Sequence, residues 1–561
     1  MTREEIVAVF ERMADIMQII GDDDPNKVKM YRNLAITLSY ELPDEIDPPF
    51  NKYALPKIKG IGTSTIDKIA ELVDTGTCQF YEELKASIPS GVLDLLDISG
   101  VGPSTASKLY NEVGITSLES LQEALDKQKL RSLKGMGKKT EDNIRQGLEA
   151  LLRHRQIRLM GYVLPVVESI VDDLKAFCRN ISISGDLRRK TEVIHEADIV
   201  LNGNSKQIYD VLSNHEFVTK IMEWKDNGGI VTLVGDVRSN IIIVKEECFG
   251  ESLLYLTGSK AHIDGLNDRA QQLGLKKISL ESVSYIGINE NDIYSKLDLP
   301  FIVPELREGS GEIESILPQL LDIKDIKGDL HVHSTWSDGH ESIEAMAESA
   351  KKLGYEYITI SDHSISSKIA NGLDVEQILN KMIEVREINE KIKGIEILMG
   401  SEVDILKDGN LDYPDSILEK LDVVIASVHS GFHMKESEMT KRIIRAIEND
   451  FVHIIGHPTG RLLGRRDPYA VNIDAIIDAS AEKGKSLEIN AYPDRLDLKD
   501  IHVRKAKDKG VIITINTDAH SISDMNFMKY GIYTARRGWL ESKDVLNTLP
   551  LSKLMKWLKR E

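Results

Sequence analysis

The chain has 561 residues, 41% of them hydrophobic, which is enough for about three to five domains and excludes a disordered or fibrous protein. The net charge of −19 argues against nucleic acid wrapping over the whole surface, so contact with a polyanion would need a local basic face or bound cations. No apolar run approaches the ~18 residues of a membrane helix, and the amino terminus has neither a secretory nor a transit pattern.

The cysteines are few and scattered, and none belongs to a Cys-x-x-Cys pair: Cys78, Cys178 and Cys248. This usage predicts a reducing compartment, with no disulfide framework and no thiolate zinc site. We therefore expect a cytoplasmic protein that does not contact membranes.

The amino-terminal part contains a repeated helical motif. Residues 1–40 predict two amphipathic helices, and three similar segments follow at 57–72, 97–113 and 132–148. Each has an apolar lead-in, a Gly-x-Gly and then helical apolar spacing; the pairs are Gly60/Gly62, Gly100/Gly102 and Gly135/Gly137. Such glycines permit a tight turn. They also leave backbone N–H groups exposed at the start of a helix, where the helix dipole favours an anion.

A local excess of positive charge follows the third repeat. Residues 131–160 contain eight basic and three acidic residues, a local charge of +5. This suits phosphate contact, although a solvated helix face would look the same. The three repeats resemble the helix–hairpin–helix motif, which holds DNA phosphates without reading sequence. If these segments were ordinary helix–helix loops, the same Gly-x-Gly pattern would have to arise by chance three times.

The middle of the chain carries fragments of a known enzyme family. These are ISISGDLRRKTEVIHEADIVLN (181–202), FGESLLYLTGSKAH (249–262) and LPFIVPELREGSGEIE (299–314). With the repeats, they resemble a family X DNA polymerase (DNA polymerase beta superfamily) in its bacterial and archaeal form. The resemblance covers essentially the whole chain, because that form ends in a PHP (polymerase and histidinol phosphatase) domain.

The resemblance implies a palm in which three carboxylates hold two Mg²⁺ ions. In this sequence the first carboxylate is Glu196, the second is Asp198, and the third position is Asn240. Asp186 replaces the family's triphosphate-contacting serine. Because the centre falls from three carboxylates to two, the resemblance leaves Mg²⁺ binding there open and predicts weak or absent polymerisation. We expect the palm mainly to hold DNA.

The resemblance also implies contacts to nucleotide and DNA. Nucleotide-binding residues would be Gly185, Arg189, Tyr255 and Gly258, with deoxynucleotide triphosphates as a potential ligand. DNA would contact the six repeat glycines and Lys68, and a monovalent cation could bind at the hairpins. Lys68 falls where relatives place a lysine that removes deoxyribose phosphate by Schiff-base chemistry, and we favour a phosphate contact over that lyase activity.

The carboxy-terminal third concentrates histidine. Ten of the chain's 14 histidines lie in residues 328–561, where about six would be expected by length and where there is no cysteine. Seven apolar strand-like runs alternate with helical patterns, which predicts a parallel barrel. Each run ends in a metal-capable residue, and barrel enzymes place catalytic groups at that end: His331/His333, His363, Glu402, His429, His457, Glu488 and Asp518/His520.

This arrangement resembles a PHP domain with no position of its ligand pattern missing. The implied ligands are His331, His333, Asp338, His363, Glu402, His429, His457, Asp518 and His520. They suit two to three divalent ions, with Mn²⁺, Zn²⁺ and Fe²⁺ all compatible with imidazole and carboxylate donors. A metal-activated water would attack phosphorus. We also expect Asp362 to orient an imidazole, and Arg461 or Lys435 to contact phosphate.

We therefore predict a multidomain DNA-repair protein: helix–hairpin–helix amino-terminal domains, an α/β nucleotidyltransferase-like palm and thumb, and a distorted (β/α)7 PHP barrel. The predicted parts are 1–90 and 91–150 (helix–hairpin–helix domains), 151–254 (palm), 255–315 (thumb), 316–327 (linker) and 328–561 (PHP domain).

The predicted activity is 3′–5′ exonucleolytic hydrolysis of gapped, nicked or 3′-ended DNA, with abasic-site endonuclease or 3′-phosphatase activity as extensions. Alternatives are an active gap-filling polymerase with a PHP exonuclease, a histidinol-phosphatase-like enzyme for small molecules, and a non-enzymatic DNA-binding scaffold. No protein partner is indicated.

Overall fold

The computed structural model describes residues 1–561 except 2, 22–24, 44, 45, 47, 51–60, 99, 156, 281–288 and 561. The chain forms two compact units, Met1–Gln156 and Ile157–Glu561. This confirms the predicted multidomain class, while the finer domain boundaries stay predictions. Among the described residues, no helix is long and apolar enough to cross a membrane.

The first unit is helical. Apolar residues spaced three and four apart give α1 a buried face that includes Ile6, Phe10, Met13 and Met17, each fully buried. This face contributes to a core shared with the later helices of the unit. The helices are α1 (Arg3–Ile20), α2 (Pro25–Glu41), α3 (Thr63–Thr75), α4 (Gln79–Ala86), α5 (Ser90–Leu93), α6 (Pro103–Val113), α7 (Leu118–Asp126) and α8 (Lys138–Arg155).

The second unit begins with a five-stranded mixed sheet in the order β2-β4-β7-β6-β5, and a short pair of β1 with β3. The strands are β1 (Arg158–Leu159), β2 (Cys178–Ile183), β3 (Val193–Ile194), β4 (Ile199–Gly203), β5 (Val218–Lys225), β6 (Gly228–Leu233) and β7 (Val237–Ile243). Strands β4 and β7 are parallel neighbours, so residues near Ile199 and Ile241 lie side by side. This register places residues 196–198 next to Asn240.

Six helices accompany this sheet: α9 (Met160–Leu174), α10 (Gly185–Arg188), α11 (Ser205–Ser213), α12 (Phe249–Thr257), α13 (Lys260–Gln272) and α14 (Glu290–Lys296). Helix α9 is strongly apolar and buries Leu164, Val167 and Ile170 in the core beneath the sheet. Helices α13 and α14 form a separate small core with Leu306 and Trp539.

The rest of the second unit is a parallel barrel of seven strands in sequence order. The strands are β8 (Gly328–Val332), β9 (Tyr357–Ile360), β10 (Glu396–Asp404), β11 (Val423–Ser427), β12 (Ile454–Ile455), β13 (Ser486–Asn490) and β14 (Ile513–Asn516). A parallel bridge between Val332 and Ala519 brings the first and last strands together. The predicted (β/α)7 barrel is confirmed.

The barrel's helices lie in the connections between its strands and after the last one: α15 (Ile343–Lys352), α16 (Val375–Lys391), α17 (Asp415–Leu418), α18 (Glu436–Ile447), α19 (Ile473–Lys483), α20 (Asp500–Asp508), α21 (Met528–Arg537) and α22 (Leu551–Leu558). The strands are buried on both faces, which explains their continuous apolar runs. Leu321 and Ile326, within the predicted linker, are buried in the barrel core.

The barrel and the mixed sheet share core residues. Leu496 and Tyr530 of the barrel belong to the core beneath the sheet. Arg461 follows β12 and makes a bidentate pair with Glu192, at 3.1 and 2.7 Å. The Tyr530 hydroxyl also donates to Gly161 O at 2.9 Å. The two parts of this unit are therefore fixed to each other by apolar and charged contacts.

Candidate active site and nucleic-acid interface

The nine predicted metal ligands lie at the carboxyl ends of the barrel strands. Eight of them supply the members of three overlapping groups that could each hold an ion: His333/Asp338/His363/His520, His331/His333/Asp518 and His363/Glu402/His429. The ninth, His457, has its Nε2 2.9 Å from Glu402 Oε1. The i,i+2 pairs His331/His333 and Asp518/His520 reach the same cluster, although Asp518 and His520 lie beyond the end of β14.

Several buried imidazole nitrogens in this cluster make no well-directed hydrogen bond to the described residues: His331 Nε2, His333 Nδ1 and Nε2, His363 Nδ1 and His457 Nδ1. Two of them nevertheless lie close to carboxylates, since His363 Nδ1 is 2.9 Å from Glu402 Oε2 and His333 Nε2 is 3.1 Å from Asp518 Oδ1. Such groups normally have partners, because an unsatisfied buried polar atom costs about 1–3 kcal/mol. Neutral imidazole nitrogens beside carboxylates are a donor set that divalent transition metals accept. The residues therefore fit the ions that a PHP domain requires.

Two carboxylates outside the predicted set orient ligand imidazoles. Glu488 Oε1 lies 2.8 Å from His331 Nδ1, and Asp404 Oδ1 lies 2.7 Å from His429 Nδ1. In each case Nδ1 is engaged, which leaves Nε2 to face the cluster. Sequence reasoning noted Glu488 only as a strand end and missed Asp404. Its i,i+2 spacing from Glu402 within β10 was the available signal.

Asp362 does not orient an imidazole as expected. Its carboxylate pairs with the buried Lys381 ammonium at 2.8 Å and accepts from Ser334 N at 2.8 Å and Ser337 Oγ at 2.7 Å. Ser337 immediately precedes Asp338. Asp362 therefore secures the loop that carries a predicted ligand, because residues 362 and 363 point to opposite sides of the backbone.

Arg461 is also placed differently from the prediction. Its guanidinium is buried between the barrel and Glu192, and it donates to Arg495 O at 3.0 Å, so it serves the contact with the mixed sheet and not a phosphate. Lys435 lies exposed just before α18.

The charges within the cluster shift one another's pKa values. Burial would raise the pKa of Glu402, but His429, His331 and His363 outweigh it and hold the pKa well below its usual range. Burial would lower the pKa of His429, yet Glu402 and Asp404 raise it to about 10. Burial and two neighbouring imidazoles lower the pKa of His333 to about 4. The cluster thus keeps its carboxylates ionised, as metal coordination needs.

Two residues of the cluster occupy strained backbone conformations. His457 has φ 27° and Asp518 has φ 56°, although neither is glycine. Such positions cost of order 1–3 kcal/mol and persist where the surrounding structure enforces them, most often at functional sites.

The predicted palm residues gather around a second site, a cleft of about 950 Å³. Its lining includes the predicted nucleotide-binding residues and the two carboxylates: Gly185, Arg189, Glu196, Asp198, Tyr255 and Gly258. Gly185 has φ 63°, and a Cβ there would lie 3.5 Å from Asp198 Oδ2. The glycine therefore lets the backbone turn close to the carboxylates.

Asn240, at the position where the resemblance implies a third carboxylate, bridges the carboxylates of Glu196 and Asp198. Its Nδ2 donates to Glu196 Oε2 at 2.6 Å and to Asp198 Oδ1 at 2.7 Å. Arg238 Nε lies 3.2 Å from Glu196 Oε1. An amide and a guanidinium thus satisfy oxygens that a metal-binding palm would offer to cations.

Each nitrogen of the Arg189 guanidinium donates to a protein oxygen. Its Nη2 donates to Asp186 Oδ1 at 2.6 Å, its Nε donates to Glu308 Oε1 at 3.0 Å, and its Nη1 donates to Thr257 O. Asp186 also lies 2.8 Å from His195 Nδ1. Burial would raise the pKa of Asp186, but His195 and Arg189 outweigh it and lower the pKa. The aspartate remains charged and pairs with the arginine predicted to bind nucleotide.

The repeat glycines form exposed turns in the first unit. Gly100 and Gly135 have φ 87° and 85°, and Gly102 is the N-cap of α6. Gly62 is the N-cap of α3, Gly137 directly precedes α8, and Gly60 lies outside the described residues. A Cβ at Gly62, Gly100, Gly102 or Gly137 would meet no atom within 4 Å, so a ligand could approach the backbone there.

The Lys68 ammonium, unlike the backbone at these glycines, already has partners within the protein. On α3 its Nζ donates to Ser64 Oγ at 2.8 Å and lies 5.0 Å from the Phe80 ring centroid. The structure therefore places Lys68 beside the first hairpin and bonded within its own helix.

Comparison with known proteins agrees with these features. The SAM-like helix-hairpin-helix tandem matches residues 92–150, and the PHP domain matches residues 329–492. The DNA polymerase/3′-5′ exonuclease PolX of Bacillus subtilis (strain 168) is 37% identical over the full length of both chains. Probable phosphatases of Thermoanaerobacter sp. (strain X514) and Caldanaerobacter subterraneus subsp. tengcongensis are 34% and 33% identical, covering 42% and 39% of this chain and 94% and 86% of theirs.

Fold and site together define a DNA-processing enzyme that joins helix–hairpin–helix repeats and a polymerase-type palm to a metal-dependent PHP barrel. The chain belongs to the PolX family, the family X DNA polymerases that carry a PHP domain. The predicted family is therefore confirmed. The phosphatase relatives are similar to the barrel alone, which disfavours a small-molecule phosphatase as the function of the whole chain.

Proposed function

We propose that this chain is a DNA-repair enzyme whose barrel hydrolyses phosphodiesters from the 3′ end of DNA, while its palm holds DNA with little or no polymerase activity. The observation that supports the nuclease is the convergence of buried imidazole nitrogens, which lack well-directed hydrogen bonds, with Asp338, Glu402 and Asp518. The nine predicted ligands would hold two or three divalent ions.

The bound ions would lower the pKa of a water molecule and neutralise charge on the phosphoryl oxygens. The protein's own residues keep the donors in place. Glu488 and Asp404 fix the imidazoles of His331 and His429, and the Asp362–Lys381 pair holds the loop of Asp338. Since these supports are buried, water does not compete for their bonds.

DNA would be held by the hairpin turns through backbone N–H groups and by nearby basic residues. This supports polymeric DNA as the substrate, because a small-molecule phosphatase has no use for three such turns. The terminal phosphodiester would then be presented to the barrel, with gapped, nicked or 3′-ended DNA as the preferred forms.

The loss of polymerisation is supported by Asn240 and Arg189. The Asn240 amide supplies hydrogen bonds to Glu196 and Asp198 but cannot coordinate Mg²⁺ as a carboxylate does. Each type of Arg189 nitrogen already donates to a protein oxygen, and Asp186 adds a negative charge where the triphosphate would lie. Both effects weaken the same reaction.

The nuclease is tested with 5′-labelled single-stranded and gapped DNA and added Mn²⁺. We expect stepwise shortening from the 3′ end that is lost in His331→Ala/His333→Ala together with bound metal. His433→Ala, an exposed barrel histidine outside the cluster, is the matched control. Cleavage that persists in the double variant would contradict the assignment.

The palm is tested by primer extension with Mg²⁺ or Mn²⁺, in the His331→Ala/His333→Ala background so that products are not degraded. We expect little incorporation. Robust extension that Asp198→Ala abolishes would establish the alternative, a gap-filling polymerase with a PHP exonuclease.

The barrel-only relatives, whose names call them probable phosphatases, favour one further activity: removal of a terminal 3′-phosphate from DNA at the same site. A 3′-phosphorylated oligonucleotide and a small phosphomonoester separate the substrates. Faster turnover of the oligonucleotide supports DNA-end processing.

A further inference from the structure

A second cavity in the barrel lies away from the metal cluster. It has a volume of about 320 Å³ and is lined by His453, Lys483, Lys556, Trp557 and Arg560, among others. His453 precedes β12, so the cavity is at the amino-terminal ends of the strands, whereas the metal ligands are at the carboxyl ends. The two ends of the barrel are well separated, because the length of the five-residue strand β13 alone is about 13 Å.

The cations of this cavity are poorly neutralised. Among the described residues, no carboxylate lies within ion-pair distance of Lys483 or Lys556, and Arg560 reaches only Asp450, at 3.4 Å, whose side chain is 90% exposed. Some other lysines of the barrel pair closely with acids, among them Lys505 with Asp474, Lys509 with Asp478 and Lys543 with Glu541. The described charged residues that line it are all cations, although the net charge of the chain is −19.

The wall of the cavity is built from groups whose hydrogen bonds are already made. His453 Nδ1 accepts from Val424 N at 3.1 Å, and its Nε2 donates to Leu558 O at 3.0 Å. Nearby, Lys485 Nζ donates to Val452 O at 2.6 Å and Asn449 O at 2.8 Å. Burial, and then the charge of Arg560, lower the pKa of Lys485 to about 8. Lys483 and Lys556 therefore remain as groups able to meet a ligand, together with Arg560, whose contacts to Asp450 and Val452 O are long, at 3.4 and 3.5 Å.

We propose that this cavity is a second, non-catalytic binding site for a phosphate-bearing ligand, either a nucleotide or the backbone of a DNA strand. Lys483, Lys556 and Arg560 would bind the phosphate through charge-assisted hydrogen bonds, and the Trp557 indole would lie against a base. The volume is at the lower end of that of small-molecule pockets, which suits a mononucleotide or one unit of a strand.

The site is tested by chemical labelling of lysine in the full chain, with EDTA present so that DNA is not cut. The probes are deoxyadenosine monophosphate, a short single-stranded oligonucleotide and inorganic phosphate. We expect nucleotide or oligonucleotide to slow labelling of Lys483 and Lys556, while exposed Lys553 on the same helix α22 is unaffected. High salt should abolish the protection.

Variants complete the test. Lys556→Gln/Arg560→Gln should weaken binding about tenfold or more, since two charge-assisted contacts are lost. Lys553→Gln/Lys391→Gln removes the same charge outside the cavity and should bind normally. Protection by deoxyadenosine monophosphate identifies a nucleotide site, and protection by the oligonucleotide alone identifies a strand contact. Protection by inorganic phosphate alone, by no probe, or equally in both double variants would overturn the proposal.

Discussion

His453 makes two hydrogen bonds that only a neutral imidazole can make together, because Nδ1 accepts while Nε2 donates. Burial, and to a lesser degree the charges of Lys485 and Arg560, lower its pKa to about 4. In the unfolded chain the pKa of a histidine is about 6.5. The neutral ring therefore stabilises the fold fully above that value, and its contribution is lost as the pH falls from about 6.5 to about 4.

This predicts an acid-sensitive barrel. In His453→Gln, whose amide can accept and donate without titrating, the free energy of unfolding should fall less between pH 7 and pH 4, by up to about 1.4 kcal/mol for each pH unit below 6.5. Denaturant unfolding across this range measures the difference, with exposed His433→Gln as the control. Identical pH profiles in His453→Gln and the unaltered protein would refute the assignment.

A second prediction concerns Asn240, whose amide joins two carboxylates. Asn240→Asp would place three carboxylates together, so we expect a lower unfolding temperature in EDTA and a rise when Mg²⁺ is added. Thermal unfolding with and without Mg²⁺ measures this. Asn214→Asp, at the exposed end of α11, adds the same charge elsewhere and should respond to Mg²⁺ no more than the unaltered protein does.

At the scale of elements, helix α16 is fastened to the barrel by a buried ion pair. Lys381 Nζ lies 2.8 Å from Asp362 and donates to Ile360 O at 2.9 Å, and both side chains are fully buried. Lys381→Met would leave the Asp362 carboxylate charged and unpaired in the interior. The expected loss of stability is about 3–5 kcal/mol.

Urea unfolding checks this value against Lys391→Met, which alters an exposed lysine of the same helix. The double variant Lys381→Met/Asp362→Asn should recover part of the loss, because no uncompensated charge remains. A loss in Lys381→Met no larger than that in Lys391→Met would show that the pair does not secure the helix.

Sequence patterns predicted the elements well where the signal is local. Seven apolar runs gave the barrel, and the strand-end rule brought His331 and Asp518 to one cluster although they are far apart in the chain. The pairing of Arg461 with Glu192 was not predictable, because the two lie 269 residues apart and no sequence pattern links them. The bridging role of Asn240 was also missed. The sequence showed that Asn240 departs from the family pattern, but it could not show the hydrogen bonds that its amide makes to the two carboxylates.

At the scale of the molecule, residues 157–561 should respond to metal as one body, because Leu496 and Tyr530 of the barrel belong to the core beneath the mixed sheet. Ions that bind only the folded barrel would stabilise it by mass action. We predict slower hydrogen exchange on Mn²⁺ loading in β4 and β7 as well as in β10 and β11.

Mass spectrometry of exchange measures this effect. The experiment is done in Asp198→Ala, so that any ion in the palm cleft cannot contribute. Asp518→Asn/His333→Ala should remove the effect in both sheets, and Arg461→Ala should reduce it in the mixed sheet alone. Protection confined to the barrel strands would show that the two parts open independently.

The Asn240 bridge has a consequence for how the protein depends on its surroundings. The acidic groups of the palm are satisfied by an amide, whereas the barrel mouth keeps buried imidazole nitrogens that would hold ions. On the proposed function, transition-metal scarcity would leave the protein able to hold DNA ends but unable to trim them. The supply of transition metal would then decide whether the protein only binds a DNA end or also processes it.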